Sequence, residues 1–126
     1  MRRALRQVER ALAEGLAAQE PSPLARVREL FELDRTELGS LFGVSRQAVE
    51  QWEERGVPAE RQAKLTTILS VGELLNRKLR PGVLPGVART KAEAYGERTM
   101  LDMMASDEHD ALLKDVRASF DWAATA

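Results

Sequence analysis

The chain has 126 residues, enough for one ordinary domain or two small helical modules, and its 44% hydrophobic content is enough for a buried core. It carries a formal net charge of −1 and has no cysteine. These values exclude a disulfide framework, a thiolate metal site and a protein that coats nucleic acid through bulk positive charge. An abundance of Ala, Leu, Glu and Arg, with only 5% aromatic residues, favours an all-α fold.

The first 20 residues predict an amphipathic helix, because Leu5, Val8, Leu12 and Leu16 recur at helical spacing. Charged residues interrupt every apolar run here, so we do not expect a secretory signal peptide. No uncharged apolar stretch of the chain approaches the roughly 18 residues of a transmembrane helix. We therefore expect a soluble, cytoplasmic protein in which this helix packs on its own domain or pairs with a second subunit.

The next stretch predicts a helix that begins after "EPSP". Ser22 can cap it and Pro23 can occupy its first turn, where a proline loses no hydrogen bond. Its apolar residues at helical spacing should face inward. They are Leu24, Val27, Leu30 and Phe31.

Two short helical patterns follow, with a glycine between them. Asp34 stands three residues before Glu37, the spacing of a capping box, and predicts a helix from about residue 35 to residue 42. Gly43 favours the left-handed conformation that ends a helix, and Ser45 can cap a second helix that runs to about Arg55. Only three residues separate the two predicted helices.

A long helix is predicted from about Ala59 to Leu79, with Gly72 as a close-packing point. Its inward face is Leu65, Ile68, Leu69, Leu75 and Leu79. Residues 61–80 also hold five basic residues against one acidic residue. The stretch "RPGVLPGVART" that follows, with two prolines and two glycines, predicts a loop and a domain boundary. We therefore divide the chain into an N-terminal helix (1–20), a central helical domain (21–80) and a C-terminal domain (81–126).

The C-terminal part predicts a short helix near residues 98–105 and a last helix capped by Ser106 or Asp107. The last helix should turn Leu112, Leu113, Val116 and Phe120 inward. Met100, Met103 and Met104 fit core positions better than an adaptable binding surface. Trp122 is either the end of the core or an exposed interface anchor.

The pair of helices around Gly43 has the spacing of a helix-turn-helix. Such a motif needs a small residue where the helices cross, a turn that tolerates positive φ, and apolar anchors on the second helix. Gly39, Gly43, Val49 and Trp52 meet these needs. The outward face and start of the second helix are then the DNA-binding candidates: Ser45, Arg46, Gln47, Glu50 and Gln51. Glutamine can pair bidentately with adenine and arginine with guanine. The alternative is a tight helical hairpin with a solvated polar face, which the acidic residues Glu50, Glu53 and Glu54 would suit.

The stretch from Leu24 to Ala63, centred on "TELGSLFGVSRQAVEQWEERGVP", resembles the Cro/C1 or Xre class of helix-turn-helix regulators. The resemblance implies that Arg46, Gln47 and Gln51 read bases and that Ser45 contacts phosphate. Gly39 stands where that class usually has alanine.

The run "LRPGVLPGVARTKAEAYGERTMLDMMASDEHDALLKDVRASFDW" resembles the toxin-binding domain of Xre/MbcA/ParS-type antitoxins. The resemblance implies an antitoxin that neutralises a RES-domain, NAD-degrading toxin and represses its own operon by binding operator DNA. Since small DNA-binding modules gain affinity by reading two half-sites, we expect a homodimer, or a larger hetero-oligomer with the toxin. The toxin-binding candidates are Arg98, Thr99, Asp102, Phe120, Trp122 and the final "AATA".

Two rival functions stay open: a stand-alone Cro/C1-type repressor whose tail serves dimerisation, and an interaction protein that ignores DNA. An enzyme is not expected, because no nucleophile motif, phosphate-binding glycine loop or spaced metal ligands occur. We expect no cofactor and no metal. His109, the only histidine, lacks spaced partners and is expected to be a solvated residue at a helix start.

Overall fold

A computed structural model describes the backbone of residues 21–125 and the side chains of residues 21–121. This part of the chain is helical, with one isolated β-bridge between Ala92 and Arg98. The all-α prediction is therefore confirmed for the described residues. The amphipathic helix predicted over residues 1–20 lies outside them.

Seven α-helices and one 3-10 turn make up the described fold. They are α1 (Pro23–Phe31), α2 (Arg35–Phe42), α3 (Arg46–Arg55), α4 (Ala59–Lys78), α5 (Leu84–Ala88), the 3-10 turn (Glu93–Tyr95), α6 (Met100–Ala105) and α7 (His109–Thr125).

The predicted caps of the first helices are present. The Ser22 hydroxyl accepts a hydrogen bond from the amide of Ala25 at 3.1 Å, and Pro23 lies in the first turn of α1. Asp34 and Glu37 form a reciprocal capping box at the start of α2. These bonds satisfy amide donors that would otherwise lack partners, so each start is fixed by residues three positions apart.

Helix α4 is the centre of the fold and packs against α1, α5 and α7. The residues predicted to face inward on α1 are all buried, as are Leu65, Ile68 and Leu75 of α4, whereas Leu69 and Leu79 are only partly buried. A Cβ on Gly72 would lie 2.9 Å from the Phe31 ring. The close packing predicted at Gly72 is therefore confirmed, because α1 rests directly on the α4 backbone there.

The C-terminal helices contribute to the same core. Leu84 of α5, Met104 of α6 and Leu112 of α7 belong to one hydrophobic cluster with the buried residues of α1 to α4. Met100, Met103 and Met104 are all buried, which confirms their assignment to the core. One continuous core therefore joins the two segments on either side of residue 80. No helix in the described range is both long and apolar enough to cross a membrane.

The prediction of a loop over residues 80–90 is wrong for residues 84–88, which form α5. Pro85 lies in the first turn of this helix, where its missing amide costs no hydrogen bond. Leu84 and Ala88, one helical turn apart, are both buried in the core. Their burial outweighs the preference of the neighbouring glycine and proline residues for a loop.

The predicted cap of the last helix is also wrong. Ser106 ends α6, and Asp107 adopts φ 61° instead of capping α7. The amide of Glu108 donates to the carbonyl of Met103 at 2.9 Å, and the amide of Asp107 donates to that of Met104. This is the Schellman pattern that satisfies the end of a helix. Both polar residues therefore close the preceding helix, and α7 begins at His109.

Helices α2 and α3 cross closely at Gly39. A Cβ on Gly39 would lie 2.6 Å from the carbonyl oxygen of Val44, inside the turn between the helices. Gly43 in that turn has φ 67°, and the amide of Val44 donates to the carbonyl of Gly39 at 2.9 Å. Gly39 and Gly43 therefore have the roles that the sequence predicted for them.

We expect Gly39→Val to lower the free energy of unfolding by about 1–3 kcal/mol, the usual cost of overpacking a tight site. Ser40→Val is the matched control: it places the same side chain at an exposed position of α2 and should cost less than about 1 kcal/mol. Urea unfolding of both variants measures the difference. Equal stability of the two variants would contradict the close crossing.

Candidate functional site

Helix α3 is attached to the fold along one face. Val49 is fully buried, and half-buried Trp52 meets the Phe42 ring edge-on, with the centroids 5.4 Å apart. Arg61 of α4 places its guanidinium 5.9 Å from the centre of a Trp52 ring and donates a 2.9 Å hydrogen bond to the carbonyl of Phe42. Trp52 thus packs on the core as predicted, and the opposite face of α3 is turned to solvent.

Glu53 ties α3 to the two helices before it. Its carboxylate accepts a hydrogen bond from Arg35 Nε at 2.7 Å and one from Arg28 at 3.4 Å. Arg28 Nε also donates to the carbonyl of Leu33 at 3.0 Å. Glu53 is therefore not simply part of a solvated face, as the hairpin alternative assumed. Because these ion pairs are partly exposed, they contribute little stability, and the attachment of α3 depends mainly on the contacts of Val49 and Trp52.

The predicted DNA-binding residues lie together at the start and on the outward face of α3. All five are exposed: Ser45, Arg46, Gln47, Glu50 and Gln51. The Ser45 hydroxyl accepts a hydrogen bond from the amide of Ala48 at 3.1 Å and so caps the helix. Arg46 Nε donates to Glu50 at 3.2 Å, one turn further along.

A shallow depression of about 230 Å³ lies between the starts of α2 and α3. It is lined by Arg28, Asp34, Arg35, Thr36 and Arg46. Three of these five side chains are basic, but each is paired with a carboxylate: Arg28 and Arg35 with Glu53, and Arg46 with Glu50. With Asp34 also in its lining, the depression has no excess of positive charge.

The predicted toxin-binding residues near α6 are held by bonds within the fold. Arg98 forms a two-pronged ion pair with Glu108, and its Nε donates to the carbonyl of Tyr95 at 3.0 Å. Thr99 and Asp102 form the capping box of α6. Hydrogen bonds from Thr99 lower the pKa of Asp102, and the hydrogen bond from Arg98 lowers the pKa of Glu108. These residues therefore have structural roles: the three-residue spacing of Thr99 and Asp102 is itself a capping-box signal, whereas nothing local indicates the Arg98–Glu108 pair.

Phe120 lies in a different place, in an open groove between α4 and α7 of about 650 Å³. Its ring is partly buried, and Lys78 Nζ lies 5.8 Å from the ring centre. Phe120 follows Glu108 by twelve residues, which corresponds to roughly 18 Å along the axis of α7. The predicted toxin-binding set is thus split between two regions, and the side chain of Trp122 lies outside the described residues.

His109 differs from the solvated residue that the sequence predicted. It is half-buried at the start of α7, and its Nδ1 is shielded from solvent without a hydrogen-bond partner among the described residues. Across residues 21–125, no group of three or more histidine and carboxylate side chains comes together in a metal-binding arrangement.

Comparison with known proteins gives no relative: no protein-family model, curated protein or solved structure matches the chain.

The Arg98–Glu108 pair predicts a pH-dependent stability. The hydrogen bond from Arg98 lowers the pKa of Glu108 in the folded protein below its value in the unfolded chain. The ionised carboxylate therefore stabilises the fold at pH values above the unfolded-state pKa, and this stabilisation is lost as pH falls through the folded-state pKa. We expect Glu108→Gln to lower Tm at pH 7, and we expect the difference from the parent protein to shrink towards pH 3. Thermal unfolding of both proteins between pH 7 and pH 3 measures this difference in Tm.

Glu93→Gln is the control, because Glu93 is exposed and forms no ion pair among the described residues. It should leave the Tm at pH 7 unchanged. A Glu108→Gln variant with the parental Tm at pH 7 would show that the ion pair does not support the fold.

Proposed function

We propose that the protein is a sequence-specific DNA-binding regulator in which α2 and α3 form a helix-turn-helix and α3 is the recognition helix. The observation that carries the proposal is the orientation of α3. Val49, Trp52 and Glu53 hold one face against the fold, while Arg46, Gln47 and Gln51 are exposed on the other. The same exposed face also carries Glu50 and Glu54, so the proposal depends on Arg46, Gln47 and Gln51 and not on the charge of the face as a whole.

The exposed face of α3 suits the major groove of DNA, which admits an α-helix and presents a distinct pattern of donors and acceptors for each base pair. Gln47 and Gln51 can pair with adenine and Arg46 with guanine. Arg28 and Arg35, which line the depression, then lie near the DNA backbone, where a phosphate would have to replace Glu53 as their partner.

The charge of the chain limits how the protein gains affinity. A net charge of −1 gives little long-range attraction to DNA, so binding must come from local contacts. A small module gains affinity by reading two half-sites as a dimer. We therefore propose that the regulator binds DNA as a homodimer.

We expect the double substitution Arg46→Ala with Gln47→Ala to weaken binding to a selected DNA site by about 30-fold or more, since each bidentate base contact contributes about 1–3 kcal/mol. The site is obtained by selection from randomised duplex DNA with the parent protein. The control, Asn76→Ala with Arg80→Ala, removes the same charge from exposed positions outside α3. Equal binding by both double variants would contradict the assignment of α3.

We further propose that the protein is an antitoxin that neutralises a RES-domain toxin, with autorepression through α3. The resemblance of residues 79–122 to antitoxin toxin-binding domains supports this proposal. The groove beside Phe120 supports it as well, because it is open and its lining has three basic residues, Lys78 and Arg117 among them, against two acidic residues. A partner segment with apolar and acidic groups would fit such a groove.

The proposed antitoxin activity is tested by co-expressing the protein with a growth-inhibiting RES-domain protein that is encoded beside the gene of this chain. Removing α7 is not an informative test, because Leu112 and Val116 are part of the shared core. We expect Lys78→Ala with Phe120→Ala to abolish growth rescue and NAD protection while DNA binding is retained.

The control for this test, Lys114→Ala with Ser119→Ala, changes exposed positions of α7 that do not line the groove. It should rescue growth like the parent protein. If no such toxin is neutralised while DNA binding persists, the protein is a stand-alone repressor.

A further inference from the structure

The Arg46–Glu50 pair on α3 has a geometry that bears on base preference. Arg46 Nε donates to Glu50 Oε1 at 3.2 Å, and the two side chains are 60% and 46% exposed. Among the described residues, neither terminal nitrogen of Arg46 has a hydrogen-bond partner. The pair therefore uses one edge of the guanidinium and leaves its outer edge available.

This arrangement is suited to guanine. A guanidinium recognises the O6 and N7 atoms of guanine with two parallel N–H groups, which the outer edge supplies. A free arginine side chain has many rotamers, and ordering it on binding reduces affinity. The bond from Arg46 Nε to the Glu50 carboxylate restricts the arginine side chain in the free protein. Less conformational entropy is therefore lost when Arg46 binds DNA.

We propose that Glu50 is a positioning residue that orients Arg46 towards a guanine in each half-site, and so determines base preference without contacting the base itself. This inference rests on the proposed DNA-reading function of α3. Its physical signature is a pair of opposite effects. The Glu50 carboxylate repels DNA phosphates and lowers affinity for any sequence, while its bond to Arg46 raises the preference for guanine.

Glu54 provides a matched comparison. It is an exposed carboxylate on the same helix, one turn beyond Glu50, and it forms no ion pair among the described residues. Glu50→Ala and Glu54→Ala remove the same charge from α3. Only the first removes the partner of Arg46.

The experiment measures Kd for the DNA site that the parent protein selects from a randomised pool, and for versions of that site in which a guanine is replaced by adenine or by 7-deazaguanine, which lacks N7. The proteins are the full chain and its Glu50→Ala, Glu50→Gln, Glu54→Ala, Arg46→Ala and Arg46→Ala/Glu50→Ala variants. Each is checked for unchanged thermal unfolding.

We expect one position of the site where replacing guanine by adenine weakens binding of the parent protein by about 5-fold or more. The same replacement should not weaken binding of Arg46→Ala. Glu50→Ala should bind random DNA at least as tightly as the parent and lose most of the guanine preference. Glu50→Gln keeps an acceptor oxygen and should retain much of that preference. In the Arg46→Ala background, Glu50→Ala should have no further effect on preference.

Four results would overturn the inference. If Glu50→Ala retains the full guanine preference, or if Glu54→Ala loses it equally, Glu50 does not act through Arg46. If the parent protein selects a site whose recognition is independent of Arg46, the inference is wrong while DNA binding stands. If the parent protein selects no sequence at all, the proposed DNA-reading function itself fails and the inference fails with it.

Discussion

The close approach of α2 to the turn that follows it is the constraint on which the candidate interface depends. Gly39 has no room for a side chain beneath the carbonyl of Val44, and Gly43 adopts the left-handed conformation that starts the turn. Together they set the angle at which α3 leaves α2. Val49 then enters the core, and the polar residues of α3 face away from it. A different crossing would bury or scatter the residues that can read bases.

The position of α3 is supported from several directions. Trp52 packs against Phe42 and beneath Arg61, and Glu53 accepts hydrogen bonds from Arg28 and Arg35. The core extends from these residues, along the central helix α4, to the buried residues of α5, α6 and α7. The candidate DNA-binding face and the groove beside Phe120 therefore belong to one packed body, and any variant at partly buried Phe120 needs a check that its thermal unfolding is unchanged.

Much of the helical framework could be predicted from the sequence because it depends on local rules. The caps at Ser22, Asp34 and Ser45 involve residues three apart, and the apolar faces follow helical periodicity. Helix α5 was missed because burial of Leu84 and Ala88, which depends on the assembled core, outweighs the local glycine and proline signal. The role of Asp107 was misassigned because one residue type can start one helix or end another.

The side-chain contacts of the candidate site could likewise be predicted only where they follow local sequence rules. Exposure of the outward face of α3 follows from the spacing of its residues, so the residues on that face could be predicted. The clamp at Glu53 joins residues 18 and 25 positions apart, and the Arg98–Glu108 pair spans a turn and a helix. No periodicity encodes such side-chain bonds. The Arg98–Glu108 pair was therefore not predictable, whereas the capping box of Thr99 and Asp102, with residues three apart, follows the same local rule as that of Asp34 and Glu37.

The most direct test of the account is an NMR titration of the isotope-labelled full chain with a duplex that it selects from randomised DNA. If α3 reads DNA, the backbone amides of residues 45–51 and of the first turn of α2 should show saturable shifts, with small changes along α7. Saturable shifts confined to α4 and α7, or no shift at any residue of α3, would contradict the claim that α3 reads DNA.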